Sequence, residues 1–265
     1  MTQHLLGFLG GGNMAEAIIR AAISKGIAAA DRVIVADPAA ARRDLLAGLG
    51  VTVTEDNAAV VAAAEQVVLA VKPQVFPGVA DVVKAAADKI VISIMAGLSS
   101  AKIESLAGVP LRLVRVMPNT PMMVGAGMSG VALGPHAQEG DDELAMRLFG
   151  AAGEAVRVSE FDIDAVTAVS GSGPAYVFYL AEAMQKAAAD LGLSAHARTL
   201  VNHTILGAAK LLVDSTDDAA TLRRKVTSPG GTTQAAITHL EEQAVGRAVV
   251  DAVAAAHRRS RELGA

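Results

Sequence analysis

The fold of the N-terminal part of this chain is decided by one stretch of sequence, Gly7-Phe8-Leu9-Gly10-Gly11-Gly12-Asn13-Met14-Ala15. Gly10, Gly12 and Ala15 reproduce the pattern G-x-G-x-x-A. In that pattern the first glycine allows a tight turn, the second lets a pyrophosphate approach the backbone, and the small third residue lets a helix pack closely. The stretch follows an apolar run and opens a helical pattern, so it predicts a dinucleotide site rather than a glycine turn without a ligand.

Short apolar runs alternate with helical patterns over residues 1–159. The run at 67–71 is continuously apolar and the run at 90–95 is interrupted only by Ser93, which is typical of strands buried on both faces of a parallel sheet. The predicted strands are 5–9, 33–36, 67–71, 90–95, 113–117, 130–133 and 155–158. The predicted helices between them are 15–25, 39–49, 57–63, 75–87, 100–106 and 141–151. This alternation predicts an α/β domain at 1–159, a Rossmann-type doubly wound sheet.

Residues 160–265 contain only helical patterns and predict an all-α C-terminal domain. The predicted helices are 162–168, 174–191, 195–213, 218–226, 231–241 and 243–262. The segment 244–256 is rich in Ala and Val on more than one face, which is more apolar surface than a lone helical domain of this size buries easily. We therefore expect these helices to associate with a second copy of the chain.

Composition excludes several classes of protein. A net charge of −4 with scattered Arg and Lys argues against a nucleic-acid partner. The chain contains no cysteine and therefore has no disulfide or thiolate chemistry. The sequence shows no signal peptide and no long apolar span, so no membrane partner is expected and a cytoplasmic location is predicted. The six histidines lack ligand spacing, and no metal site is predicted.

The choice between NAD and NADP depends on the residues after the second predicted strand. A carboxylate at Asp37 is typical of enzymes that bind the adenosine ribose of NAD and repel the extra phosphate of NADP. Arg42 and Arg43, one turn later, are equally consistent with a phosphate site and with a solvated helix face. The residues therefore leave both cofactors open.

Three loops follow successive predicted strands, and a fourth glycine-rich loop lies in the helical part. Ligands of open α/β sheets bind beyond the carboxyl ends of the strands, so the first three loops are expected to line the reaction site. The fourth loop offers backbone N–H groups and two Thr hydroxyls, which favours a carboxylate or phosphate cradle over a simple capped turn. The four loops are Val71-Lys72-Pro73, Ile94-Met95-Ala96-Gly97, Met117-Pro118-Asn119-Thr120-Pro121 and Ser228-Pro229-Gly230-Gly231-Thr232-Thr233.

Five segments resemble pyrroline-5-carboxylate reductase in their order and over nearly the whole chain: Gly7-Phe8-Leu9-Gly10-Gly11-Gly12-Asn13-Met14, Val71-Lys72-Pro73, Arg115-Val116-Met117-Pro118-Asn119-Thr120-Pro121, Ser170-Gly171-Ser172-Gly173-Pro174-Ala175-Tyr176 and Thr227-Ser228-Pro229-Gly230-Gly231-Thr232-Thr233. The resemblance implies reduction of Δ1-pyrroline-5-carboxylate to L-proline with NADPH or NADH, the last step of proline biosynthesis. It also implies an all-α C-terminal dimerisation domain and a homodimer, and it leaves open a decamer built from such dimers.

The resemblance also implies roles for individual residues. Ser228 and the N–H groups of Gly230 and Gly231 hold the substrate carboxylate, and Thr233 bonds the ring nitrogen as the catalytic residue. The residues predicted to bind substrate are Ser228, Gly230, Gly231, Thr232 and Thr233. The residues predicted to bind the cofactor are Gly10, Gly11, Gly12, Asn13, Met14, Asp37, Asn57, Val71, Lys72, Pro73, Ala96, Gly97, Asn119 and Pro121.

Two other classes compete with this interpretation. A β-hydroxyacid dehydrogenase also joins a Rossmann domain to helices and uses a Lys on the interdomain helix. Lys186 lies more than three helical turns after Gly173, which is too far along the helix for that role. A dinucleotide sensor without turnover has no need of a second anion site such as the 228–233 loop.

Overall fold

The computed structural model describes residues 4–264, so residues 1–3 and 265 at the ends of the two predicted domains lie outside the described part. The chain packs as two compact units. The first extends to Ser172 and also contains the chain from Ala256 onward, and the second is Gly173–Ala255. The predicted limits, 1–159 and 160–265, mark a change of secondary structure, whereas these units are defined by packing.

An eight-stranded sheet forms the centre of the first unit. Its strand order is β3-β2-β1-β4-β5-β6-β7-β8, and all neighbours are parallel except β6 and β7. The strands are β1 His4–Leu9, β2 Val33–Ala36, β3 Thr52–Thr54, β4 Ala64–Leu69, β5 Ile90–Ser93, β6 Arg112–Met117, β7 Gly127–Leu133 and β8 Gly153–Arg157. The order reverses between β1 and β4, which confirms the predicted doubly wound topology.

Helices cover the sheet and make up the second unit. The helices that begin in the first unit are α1 Asn13–Ser24, α2 Ala40–Ala47, α3 Asn57–Ala63, α4 Ala80–Val83, α5 Ser100–Ala107, α6 Glu143–Gly150 and α7 Ile163–Val166. The helices that begin in the second unit are α8 Gly173–Asp190, α9 Ala197–Asp214, α10 Ala219–Lys225, α11 Thr232–Glu242 and α12 Val245–Gly264.

The core lies in two layers, one on each face of the sheet. Phe8 of β1 packs in the layer that contains Ile18 of α1. Its neighbour Leu9 points to the opposite face and packs in the layer that contains Val60 of α3. Successive side chains of a strand alternate between faces, and both faces are covered, so buried stretches of the central strands such as Val67–Leu69 are continuously apolar.

The predicted and observed secondary structure differ at several places. The strand predicted at 67–71 is β4, Ala64–Leu69, and the helix predicted at 162–168 is α7, Ile163–Val166, followed by a π-helical turn at Thr167–Gly171. The strand Thr52–Thr54 was not predicted, because it has only three residues, lies at the sheet edge and is not fully buried. The single helix predicted at 75–87 is wrong. A 3₁₀ segment at Pro73–Gly78 and the short α4 replace it, because Pro77 lacks an N–H and cannot continue an α-helix.

The second unit leaves many large apolar side chains uncovered. No residue of α8, α10 or α11 is buried, and Phe178 and Leu211 are 60% and 61% exposed. Exposed apolar surface on this scale marks an interaction surface. Among the described residues, no helix has both the length and the apolar character needed to cross a bilayer.

Candidate functional site

The glycine turn joins the carboxyl ends of the three central strands. Gly10 donates to Ala36 O at 2.8 Å, and Ala70, just after β4, donates to Leu9 O at 2.9 Å. Gly10 has a φ of +98°, and a Cβ there would lie 2.8 Å from Ala70 O. Only glycine fits this position, which lies where the strand order reverses, the usual nucleotide crevice of such sheets.

The start of α1 is open for an anion. Gly12 is the N-cap residue, it is extended, and no side chain caps the helix. A Cβ at Gly12 would meet no atom within 4 Å, so the space beside the turn is empty. Gly12 and Asn13 are exposed, which leaves the first N–H groups of the helix available to phosphate oxygens.

Asp37 contacts the glycine turn directly. Its Oδ2 accepts from Gly11 N at 2.8 Å, and its Oδ1 accepts from Ala39 N at 2.9 Å. A carboxylate has about four acceptor positions. Two of them therefore fix the turn, and two remain for hydroxyl donors such as those of a ribose.

Arg42 is held by the same turn. Its Nε donates to Gly11 O at 2.7 Å, and its Nη2 pairs with Glu16 at 2.9 Å. Partial desolvation of Glu16 favours the neutral acid, but hydrogen bonds from Arg20 and Arg42 outweigh it and lower the pKa of that carboxyl. Arg42 therefore stabilises the turn and is already paired with a charged carboxylate.

Arg43 is likewise engaged by protein atoms. Its Nη1 donates to the carbonyl oxygens of Asp37 and Pro38 at 2.8 and 2.9 Å, and its Nη2 pairs with Glu55 at 2.5 Å. Neither arginine at this end of the sheet carries a guanidinium that is free of an acidic partner.

A cavity of about 320 Å³ lies beyond the carboxyl ends of β4, β5 and β6. The three predicted strand-end loops line it, as the carboxyl-end rule requires. The predicted cofactor residues that it brings together are Met14, Val71, Lys72, Pro73, Ala96 and Asn119. Its other lining residues are Ala70, Ile94, Met95, Met117, Pro118, Thr120 and Gly171.

The remaining predicted cofactor residues lie outside this cavity. Gly97 is covered by the end of α12, since a Cβ there would lie 3.1 Å from Leu263 Cβ. Pro121 belongs to a short 3₁₀ turn after the cavity loop. Asn57 begins α3 just after β3, the neighbour of the strand that Asp37 follows.

Asn119 fastens the loop after β6 to the segment that precedes α8. Its Oδ1 accepts from Met128 N at 2.9 Å, and its Nδ2 donates to Ser170 O and Oγ at 3.2 and 3.3 Å. A Cβ at Gly171 would lie 2.4 Å from Met117 Cε, so a larger residue there would require the end of the Met117 side chain to move. The sequence motifs at 117–121 and 170–176 predict neither contact, because both depend on how the two segments pack.

The glycine loop of the second unit also leads into an uncapped helix. Gly230 has a φ of +69°, and Gly231 is the N-cap of α11 without a side-chain cap. Gly231 N donates to Ser228 O at 3.0 Å. Thr233 is half-buried in the first turn, and Thr232 is exposed.

One residue of this loop region was missed by the sequence analysis. Gln234 places its Oε1 2.5 Å from Gly230 N, a donor predicted to hold the substrate carboxylate. Its polar side chain in the first helical turn is the only sequence signal, because the contact depends on its rotamer.

Lys186, the residue that a hydroxyacid dehydrogenase would use, pairs with Asp190 at 2.7 Å, and its side chain is 76% exposed. This is an ordinary ion pair one turn apart on a helix. In the described part of the chain, no group of three or more His, Asp or Glu could hold a metal ion.

A doubly wound sheet with an uncapped glycine turn at its switch point defines a dinucleotide-binding protein of the Rossmann class. Two family models match the chain and agree with a dinucleotide-binding protein. Residues 5–97 match the family described as NADP oxidoreductase, coenzyme F420-dependent, and residues 160–263 match the one described as pyrroline-5-carboxylate reductase dimerisation.

Full-length relatives identify the family. A pyrroline-5-carboxylate reductase of Haemophilus influenzae is 41% identical, over 99% of this chain and 98% of its own. The structure of a Coxiella burnetii pyrroline-5-carboxylate reductase matches with a TM-score of 0.91 and 37% identity, with 100% of both chains covered. A Plasmodium falciparum pyrroline carboxylate reductase with NADP bound matches with a TM-score of 0.89 and 29% identity, also over 100% of both chains. The chain belongs to the pyrroline-5-carboxylate reductase family, and its C-terminal part is a dimerisation domain.

Proposed function

We propose that this chain reduces Δ1-pyrroline-5-carboxylate to L-proline by hydride transfer from NAD(P)H. The observation that carries the proposal is a pair of glycine-led helix starts, at α1 and α11, that no side chain caps. Each offers backbone N–H groups to an anion, one to the pyrophosphate of the dinucleotide and one to a carboxylate.

The residues proposed to bind the cofactor lie in the first unit. Gly10, Gly11 and Gly12 form the pyrophosphate turn with Asn13 and Met14 at the helix start. Asp37 and Asn57 take the adenosine ribose. The nicotinamide half is assigned to the strand-end cavity and the turns beside it, at Val71, Lys72, Pro73, Ala96, Gly97, Asn119 and Pro121.

The substrate residues follow from the second unit. Ser228 and the N–H groups of Gly230 and Gly231 bind the carboxylate, which replaces the oxygens that these N–H groups bond in the free chain, Gln234 Oε1 and Ser228 O. Thr232 lies beside them at the first turn of α11. Thr233, half-buried in the same turn, donates its hydroxyl to the ring nitrogen. This hydroxyl makes Thr233 the catalytic residue of the proposal.

The proposed reaction needs no strongly acidic or basic side chain. A protonated cyclic imine accepts hydride at C5, and the nicotinamide carries the hard step. What the protein must supply is the orientation of the donor C4 against the acceptor C5. Hydrogen-bond donors of fixed position at both ends of the substrate provide that orientation.

NADH is proposed as the preferred cofactor. Two acceptor positions of Asp37 remain for ribose hydroxyls, whereas a 2′-phosphate would face the same carboxylate. Arg42 and Arg43 are already paired with Glu16 and Glu55, so neither offsets that repulsion with a free charge.

The exposed apolar helices of the second unit support a homodimer formed through the C-terminal helices. The proposal includes a decamer of such dimers as the larger assembly. Sedimentation at micromolar concentration tests this, and a monomer would contradict it. A cytoplasmic site of action is also part of the proposal.

Steady-state assays of NAD(P)H oxidation test the function. Thr233→Ala removes one positioned hydrogen bond or more and is expected to lower kcat/KM for pyrroline-5-carboxylate by roughly ten- to a hundredfold. Thr204→Ala, at an exposed threonine of α9, is the matched control and should leave kcat/KM unchanged. Equal kinetics of the two variants would refute the role of Thr233.

The same assay separates the other classes. Turnover only with hydroxy acids would establish a hydroxyacid dehydrogenase. Cofactor binding without any turnover would establish a dinucleotide sensor.

A further inference from the structure

Gln234 reaches back from the first turn of α11 to the loop that precedes it. Its Oε1 accepts from Gly230 N at 2.5 Å, four residues earlier in the chain. Gly231 N donates instead to Ser228 O at 3.0 Å within the loop. The Gly230 donor is therefore satisfied by a side-chain carbonyl oxygen of the protein itself.

This oxygen has the chemistry of the ligand that the loop is proposed to bind. An amide carbonyl and a carboxylate both present an sp² oxygen with two lone pairs to an N–H donor. One N–H cannot make a full hydrogen bond to two such oxygens, so Gln234 and a substrate carboxylate exclude each other at Gly230.

Among the described residues, the side chain of Gln234 has no other hydrogen bond and no ion pair. Gln234 and Gly230 are both exposed, and a Cβ at Gly230 would meet no atom within 4 Å. The bond is thus formed across open surface, and the side chain is free to rotate into solvent when another acceptor replaces it. Its strength is that of one exposed hydrogen bond.

We infer that Gln234 is an internal competitor for the carboxylate cradle and sets the affinity of the enzyme for its carboxylate substrate. The inference rests on the proposed function of the Ser228–Thr233 loop. In the free enzyme Gln234 occupies the Gly230 N–H, and the incoming carboxylate displaces it. The residue touches the substrate site only in the unliganded state and takes no part in hydride transfer.

The size and the kinetic form of the effect follow from this. A net hydrogen bond of ordinary strength corresponds to about a two- to tenfold change in an equilibrium constant. The competing bond is absent both from the enzyme–substrate complex and from the transition state. Its removal therefore lowers KM for pyrroline-5-carboxylate by about that factor and leaves kcat unchanged.

Two substitutions at this position have opposite expected effects. Gln234→Met keeps the length and helix propensity but removes the acceptor, so KM should fall about two- to tenfold. Gln234→Glu places a charged acceptor on the same N–H and adds like-charge repulsion, so KM should rise by tenfold or more. Gln243→Met, at the exposed C-terminal cap of the same helix, is the matched control and should change neither constant.

The measurements are KM and kcat for pyrroline-5-carboxylate, KM for NADH, and the inhibition constant of L-proline, whose carboxylate competes in the same way. In Gln234→Met the inhibition constant of L-proline should fall with KM, while KM for NADH stays constant. A raised KM in Gln234→Met would show that Gln234 instead helps to bind substrate, and equal KM in all four proteins would show that it has no role. Either result overturns the inference. If the wild-type enzyme did not turn over pyrroline-5-carboxylate, the proposed function itself would be overturned. That result differs from both outcomes that overturn the role of Gln234.

Discussion

The Asp37→Ser substitution should shift the cofactor preference of this enzyme toward NADPH. In the wild type the carboxylate of Asp37 lies against the glycine turn, 2.8 Å from Gly11 N, and we propose that it binds the adenosine ribose. NADPH adds a phosphate of charge about −1.5 to −2 at that ribose. Asp37→Ser removes the opposing charge while keeping a small polar side chain.

The magnitude follows from two terms. Two unit charges about 4 Å apart repel by about 1 kcal/mol in water and by more at a protein surface, so a dianion costs at least about 2 kcal/mol, or roughly 30-fold. Loss of a charge-assisted bond to the ribose costs NADH about 1.5 kcal/mol or more, roughly tenfold. We therefore expect the ratio of kcat/KM for NADPH to that for NADH to rise by about two orders of magnitude.

The assay is the pair of kcat/KM values for the two cofactors at saturating pyrroline-5-carboxylate, in the wild type and the variant. Asp44→Ser, an exposed carboxylate on α2, is the control for a general change of charge and should shift the ratio little. The effect on NADPH should weaken in high salt, as screening requires. An unchanged ratio in Asp37→Ser would refute the role of Asp37.

Further predictions concern the turn and one ion pair. Gly10→Ala forces a side chain into a φ of +98° and 2.8 Å from Ala70 O, so a fall of about 2 kcal/mol or more in unfolding free energy is expected. Gly12→Ala, at an open position, should keep the melting temperature but weaken NADH binding in a titration, and equal losses of stability in both variants would contradict this geometry. Burial of Asp141 favours its neutral form, but hydrogen bonds from Arg112 and a backbone N–H outweigh it and lower the pKa of that carboxyl. Because the pKa of Asp141 is lower in the folded than in the unfolded chain, its ionised carboxylate stabilises the fold at pH values above the unfolded pKa of about 3.9. This stabilisation is lost as the pH falls through the folded pKa. Asp141→Asn should therefore be less stable than the wild type at neutral pH and lose less on acidification from about pH 5 to 3, whereas parallel pH–stability curves would contradict the pairing.

Much of the first unit could be predicted because its physical signals are local. Parallel strands buried on both faces must be apolar throughout, which made runs such as 67–71 visible. The edge strand Thr52–Thr54 gave no such signal, since it is short and incompletely buried. Pro77 lacks an N–H and could have indicated the break in the helix. The helical periodicity of 75–87 favoured one continuous helix instead.

Some features of the candidate site could also be predicted from the sequence, and others could not. The positions of the strand-end loops follow from topology, because parallel strands bring their carboxyl ends to one edge. The contacts of Asp37 with Gly11, of Asn119 with Ser170 and of Gln234 with Gly230 depend on rotamers and on tertiary packing. No periodicity or spacing in the sequence encodes those choices.

Hydride transfer from the nicotinamide to the cyclic imine can be followed directly with deuterium-labelled NADH. The enzyme is supplied with pyrroline-5-carboxylate and with NADH that carries deuterium at C4 on the transferred face, and the product is analysed by mass spectrometry and NMR. If hydride passes from C4 of NADH to C5 of the ring, each NADH oxidised yields one L-proline with one deuterium at C5. Proline without deuterium, or cofactor that binds and is not oxidised, would contradict it.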